Sequence, residues 1–188
     1  MSVANKVTKI LGVDPGTLVV GYSVVELHGP ELKILDIGVI KLDGKTSHQA
    51  RLREIFLDLQ EVIETHLPEV MSIEAPFYGK NVQSMLKLGR AQGVAMAAAM
   101  TMGLDIAEYS PKKIKQAVTG NGNAAKEQVA SMLSHLLNRP MDNYGLDATD
   151  ALAAAYCHYL KLSRVSPVGS GGKGGWAKFI KDNPDRLK

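Results

Sequence analysis

Four carboxylates hold the chemistry this sequence can offer: Asp14, Glu74, Asp147 and Asp150. Asp14 closes the apolar run Ile10-Leu11-Gly12-Val13 and is followed by Pro15 and Gly16, while Glu74 closes Val70-Met71-Ser72-Ile73. Short apolar runs that stop at turn residues read as buried strands, so both acids stand at strand tips. Asp147 and Asp150 lie three residues apart in the opening turn of an apolar helical run, hence on one helix face. A strand-tip acid can merely cap its turn, and an acid in a first helical turn is favoured by the helix dipole. Such local roles account for one acid at a time. Clustered carboxylates repel one another unless a cation neutralises them, and oxygen-only ligands favour magnesium or manganese over zinc. A pair of such ions is a known device for cutting phosphodiesters, one activating the attacking water and the other stabilising the leaving oxygen.

The elements that must position these acids are legible in outline. After Asp14, a second strand alternates Tyr22, Val24 and Leu27 with polar residues up to a Gly29-Pro30 turn, and Leu32, Ile34, Ile37, Val39 and Leu42 suggest a third. Together they predict an antiparallel meander. Ser47 can cap a helix whose apolar face is Leu52, Ile55, Phe56, Leu59, Val62 and Ile63, ended by Pro68. A long helix runs from Asn81 to Met102 and carries Gly89, Gly93 and Ala97 at spacings of four. That smooth ridge admits the close approach of another backbone, either the sheet or a second protomer. Leu104–Tyr109 reads as a fifth strand, and Ser110-Pro111 starts a lysine-rich helix, Lys112–Val118. A loop at Thr119–Asn123 follows, with Asn123 as the expected cap of a helix from Ala124 to Leu137. The last helix starts at Leu146 and ends near Leu162.

Composition narrows the class of protein. A chain of 188 residues, 45% hydrophobic, fits one domain with an ample core. Its single cysteine, Cys157, excludes an internal disulfide framework and suits a reducing compartment. The most apolar stretch, Gly93–Met102, is too short for a bilayer span, and no secretory leader is evident, so a cytoplasmic protein is expected. The net charge of +3 is too small to announce nucleic-acid binding. Much of it belongs to the end of the chain, where six basic residues face two acidic ones from Ser163 onward. The expected organisation is one domain over residues 1–165 and a flexible, glycine-rich basic tail over residues 166–188.

Five ordered motifs resemble the RuvC family of Holliday-junction resolvases: Gly12-Val13-Asp14-Pro15-Gly16 with Gly21-Tyr22; Ile73-Glu74-Ala75-Pro76-Phe77; Lys87-Leu88-Gly89 with Gly93-Val94-Ala95; Val118-Thr119-Gly120-Asn121-Gly122 with Lys126; and Asp147-Ala148-Thr149-Asp150-Ala151-Leu152-Ala153. The similarity runs from about Thr8 to Lys161. It implies an α/β, ribonuclease-H-like fold with a five-stranded mixed sheet and helices on both faces. It further implies a homodimer that nicks two opposing strands of a four-way DNA junction symmetrically, using two Mg2+ per site with Mn2+ as a substitute. By the same resemblance Asp14, Glu74, Asp147 and Asp150 are the metal-binding catalytic acids. Phe77 is an aromatic that stacks on an unpaired base, Lys115 and Lys126 hold the scissile phosphate, and Gly89, Gly93 and Ala97 lie at the dimer contact. The RuvA-RuvB branch-migration complex is the implied protein partner. Ala75 and Pro76 depart from the family's commonest residues, which bears on sequence preference at the cut. Lys80, Lys87, Arg90, Lys112 and Lys113 are weaker candidates for backbone contacts, with plain solvated surface the favoured account of each. A junction-binding module lacking catalysis, and an actin-like phosphotransferase opened by the same strand-Asp-x-Gly-Thr pattern, are the rival readings.

Overall fold

The computed structural model describes residues 8–28, 31–76 and 81–165. Five strands form one sheet in the order β3-β2-β1-β4-β5: β1 (Thr8–Asp14), β2 (Val19–His28), β3 (Glu31–Lys41), β4 (Val70–Glu74) and β5 (Asp105–Tyr109). The β1–β2 and β2–β3 pairs are antiparallel, whereas β1–β4 and β4–β5 are parallel. The sheet is therefore mixed, and the predicted meander is borne out. Parallel neighbours need crossover helices, and these are α1 (His48–His66) between β3 and β4 and α2 (Val82–Thr101) between β4 and β5. Three more helices follow: α3 (Pro111–Thr119), α4 (Lys126–Leu136) and α5 (Leu146–Val165). No helix among the described residues is long and apolar enough to cross a membrane.

Side chains alternate across the sheet and feed two cores. Leu11, Val13, Met71 and Ile73 point to one face, against Ile55, Leu59 and Ile63 of α1 and Ala91, Ala95, Ala98 and Ala99 of α2. Ile10 and Val70 point to the other, against α3, α4 and the buried face of α5. The same period-two rule places Gly12, Asp14, Ser72 and Glu74 on the α5 face. Both strand-tip acids thus look toward the helix that holds the other two.

Helix caps follow the expected chemistry with one exception. Ser47 accepts from Ala50 N–H (3.1 Å), and Ser110 accepts from Lys113 N–H with Pro111 at the first helical position. Leu67 ends α1 in the left-handed region (φ 52°), donating its N–H to Ile63 O ahead of Pro68. The exception is α4. Asn123 does not cap it: its N–H instead donates to Asn121 Oδ1 (3.0 Å), the helix begins two residues later than expected, and Ala125 is the N-cap. The first free amide is met by Gln128, whose Oε1 accepts from Ala125 N–H (2.9 Å). The side chain of Asn121 holds the Asn123 amide, extending the turn so that the helix starts two residues later.

Candidate active site

The site is built by seating one helix directly on the sheet. A β-carbon added to Gly12 would lie 2.1 Å from the carbonyl oxygen of Ala151 and 2.9 Å from the Ala155 β-carbon, and one added to Gly21 would lie 1.9 Å from the carbonyl of Asp147. No other residue fits beneath α5 at these two places. Ala148, Ala151, Ala154 and Ala155 are buried and small, so backbone meets backbone. The seat is pinned by Ser72, whose buried hydroxyl donates to Ala154 O (2.6 Å), and by a 2.7 Å hydrogen bond between the Tyr109 hydroxyl and His158 Nδ1. Gly21 pairs with Asp14 across β1 and β2. The contact of Gly21 with Asp147 therefore carries the start of α5 to the edge where Asp14 and Glu74 end their strands.

The electrostatics register this assembly. Burial, followed by the charges of Glu74, Asp150 and Asp147, pushes the Asp14 carboxyl up to about 8, against a smaller opposing pull from Lys126. Glu74 is raised by burial and then by Asp150, with Lys126 and Lys115 acting the other way. Asp150 is raised by burial, in spite of its hydrogen bond to Lys126. One ammonium stands among these acids. Lys126, the first residue of α4, is ion-paired with Asp150. Burial works against its charge, yet the bond to Asp150 and the fields of Asp150, Asp14 and Asp147 outweigh that and raise its pKa. Lys115, half-buried on α3, adds a second positive charge felt by Glu74 and Asp150.

Each described residue named from the sequence can now be placed. Asp14, Glu74, Asp147 and Asp150 act on one another at one sheet edge, with Lys126 and Lys115 beside them. Among the described residues, however, no three His, Cys, Asp or Glu side chains converge closely enough to hold a metal ion as they lie. The ammonium of Lys126 supplies the neutralising charge. Phe77 and Lys80, like the basic tail, lie outside the described residues. Gly89 and Gly93 have nothing within 4 Å of an added β-carbon, so their ridge is not used against the sheet, where Ala91, Ala95, Ala98 and Ala99 pack instead. The seating roles of Gly12 and Gly21 were missed at the sequence level, although a glycine inside a strand signals close backbone approach. Ser72, a polar residue in an apolar run, was the other available signal.

Comparison with known proteins agrees with this arrangement. The family model for crossover junction endodeoxyribonuclease RuvC matches residues 10–158, a span from β1 to α5 that includes all four acids and both lysines. Crossover junction endodeoxyribonuclease RuvC of Cytophaga hutchinsonii is 54% identical over 179 residues, covering 95% of this chain and 88% of its own. That of Bacteroides fragilis is 51% identical over 181 residues, covering 95% of each chain. Among solved structures, T. thermophilus RuvC in complex with Holliday junction substrate superposes with a TM-score of 0.78 at 30% identity, covering 84% of this chain and 96% of the other. A ribonuclease-H-like sheet with its acids gathered at one edge, matched along nearly its whole described length, places the chain in the crossover junction endodeoxyribonuclease RuvC family.

Proposed function

We propose that this chain resolves four-way DNA junctions by paired, symmetric nicks, with Asp14, Glu74, Asp147 and Asp150 holding two Mg2+ ions in each of two active sites of a homodimer. As a member of its family the chain is a Holliday-junction endodeoxyribonuclease of recombination and repair. The observation that carries the rest is the acid edge itself: four carboxylates from three elements, partly buried, matched by too little positive charge. Carboxylates forced toward the neutral form by burial and by one another fit a hard divalent cation, and their oxygen-only chemistry suits Mg2+, with Mn2+ as substitute. Bound there, the ions would supply Lewis-acid stabilisation of the phosphate and activation of water.

The chain's own residues do the positioning. Asp14 and Glu74 are fixed by the sheet, and Asp147 and Asp150 by the seating of α5 on Gly12 and Gly21. Lys126 neutralises Asp150 before a cation arrives. With Asp150 committed to a cation, Lys126, half exposed, would be available to a phosphate oxygen. Lys115 is assigned the same phosphate, and Phe77 is assigned to stack on a base opened at the crossover, a contact that needs no particular sequence. The homodimer is supported by α2, where Val82, Leu86 and Met100 are exposed apolar residues along the ridge of Gly89, Gly93 and Ala97. A RuvA-RuvB branch-migration complex is the proposed partner and the cytoplasm the proposed location.

A labelled synthetic four-way junction incubated with the protein and Mg2+ tests the reading. Paired nicks at symmetric positions are expected, leaving 5′-phosphate ends, and Asp14→Asn should lower the rate about 10³-fold or more. Junction binding without cleavage by the intact protein, in Mg2+ or Mn2+, would return the chain to the non-catalytic reading.

A further inference from the structure

The opposite face of the sheet meets the same edge with charge of the other sign. β3 and β4 both end at the carboxylate edge, so α1 and α2 start there and run parallel to each other away from it. Gln60 Nε2 of α1 donates to Thr101 Oγ1 of α2 (3.3 Å), an offset of 41 residues. The same offset carried back up two parallel helices sets His48 level with Gly89, between Lys87 and Arg90. Arg51 is fixed one turn below by its Nη1, which donates to the carbonyls of Thr46 (2.7 Å), Gly44 (3.4 Å) and Asp43 (3.5 Å).

Among the described residues this group has no anion. Both ring nitrogens of His48 and the Nε of Arg51 are closed off and have no hydrogen-bond partner there. Atoms of that kind are almost always satisfied in folded proteins. Lys87 and Arg90 are exposed and have no ion pair among the described residues. The first turn of α1 carries no acid, and Asp43, the acid before it, turns its carboxylate to the Lys45 amide (2.8 Å), while Glu54, three residues after Arg51, makes no ion pair with it among the described residues. Burial and then the charges of Arg51, Arg90 and Lys87 disfavour the imidazolium of His48.

We propose that Lys87 and Arg90, backed by the buried nitrogens of His48 and Arg51, form a second phosphate station, gripping a backbone phosphate of the DNA remote from the one being cut. It rests on the junction-cleaving reading and extends it: the station does no chemistry, but fixes the path of a DNA arm across the α1–α2 face while another phosphate lies at the acids. Phosphate contacts set register and orientation without reading sequence.

The test is binding to a four-way junction without divalent cations, so that nothing is cut, at several salt concentrations. Replacing Lys87 and Arg90 together (Lys87→Gln/Arg90→Gln) should weaken binding about tenfold or more at 0.1 M salt and flatten the slope of log K against log salt by about 1.8, one phosphate's worth from each protomer of the proposed dimer. Lys33→Gln, a charge removed at the far end of β3, should leave the slope unchanged. Junctions carrying a neutral methylphosphonate at each linkage in turn should reveal one linkage per protomer, a symmetry-related pair outside the cut sites, whose neutralisation weakens the wild type but not the double variant. A slope unaltered by the double variant, an equal loss in Lys33→Gln, or no such linkage would overturn the station. If inorganic phosphate at constant ionic strength displaces the junction while no linkage matters, the cluster belongs to the free anion and the DNA assignment fails. A wild type that binds no junction at all would remove the functional reading itself.

Discussion

α5 and α2 are both long helices rich in small residues, and they use that smoothness in opposite directions. In α5 every residue from Ala151 to His158 is buried, and its backbone lies on two strand glycines. In α2 the alanines pack inward, while Gly89 and Gly93 face open space beside exposed Val82, Leu86 and Met100. The difference is set by what lies opposite. Gly12 and Gly21 receive α5; nothing among the described residues receives the ridge of α2. Small side chains permit close approach without saying which surface approaches, so a helix's composition is only half of a contact.

The sharpest way to break the comparison is to add one methyl group on each side of it. Gly12→Ala drives a carbon into the Ala151 carbonyl at 2.1 Å, backbone that cannot rotate away. It should cost about 3 kcal/mol or more in denaturant unfolding and lower junction cleavage with it. An unchanged midpoint would mean that α5 is not seated as described.

The second test exploits the charge that the α5 seat concentrates. Asp14 is raised to about 8, so the folded state holds a proton that the unfolded chain releases near the ordinary carboxylate range. Its contribution is therefore fully present at low pH and is lost as pH rises toward 8. Without divalent cations, Asp14→Asn should gain stability relative to the wild type across that window. By pH 8 the gain should reach about 2 kcal/mol once water and side-chain relaxation soften the burial cost. A difference independent of pH between 4 and 8 would show that Asp14 is not held among like charges.

A smaller effect belongs to the pin. Ser72→Ala removes the donor to Ala154 O, a carbonyl already bonded within α5, and should cost about 1 kcal/mol. No loss would leave the glycines as the sole seat. The smallest effect on folding is expected at the other helix. Gly93→Ala adds a methyl to open space inside a helix and should stabilise the monomer by about 0.5–1 kcal/mol. In the proposed homodimer this ridge is the contact, so the same change should weaken self-association in sedimentation. A dimer unaffected by both Gly93→Ala and Gly93→Leu would remove α2 from the interface.

Much of this was legible before any coordinates. Asp14 and Glu74 mark the ends of β1 and β4, and Asp147 and Asp150 lie one helical turn apart. Ser47, Ser110 and Pro111 start their helices as their chemistry dictates, because a cap is decided by residues three apart. Asn123 shows the limit of that logic: the Asn121 side chain holds the Asn123 amide in an extended turn, and the cap falls at Ala125. The ion pair of Lys126 with Asp150 spans 24 residues, and the level of His48 beside Lys87 and Arg90 follows from helix packing. Neither has a local signature.

Residue types and their spacing determined by themselves which strands and helices form, where acids terminate them, and to which family the motifs point. Tertiary structure alone decided that α5 lies on Gly12 and Gly21, that Lys126 pairs with Asp150, and that Arg51 of α1 gathers with Lys87 and Arg90 of α2 near the same edge. The physical reason is range. Dihedral preference, capping and amphipathic period act within a few residues, whereas burial, Coulomb fields and backbone-to-backbone contact depend on what the folded chain brings near.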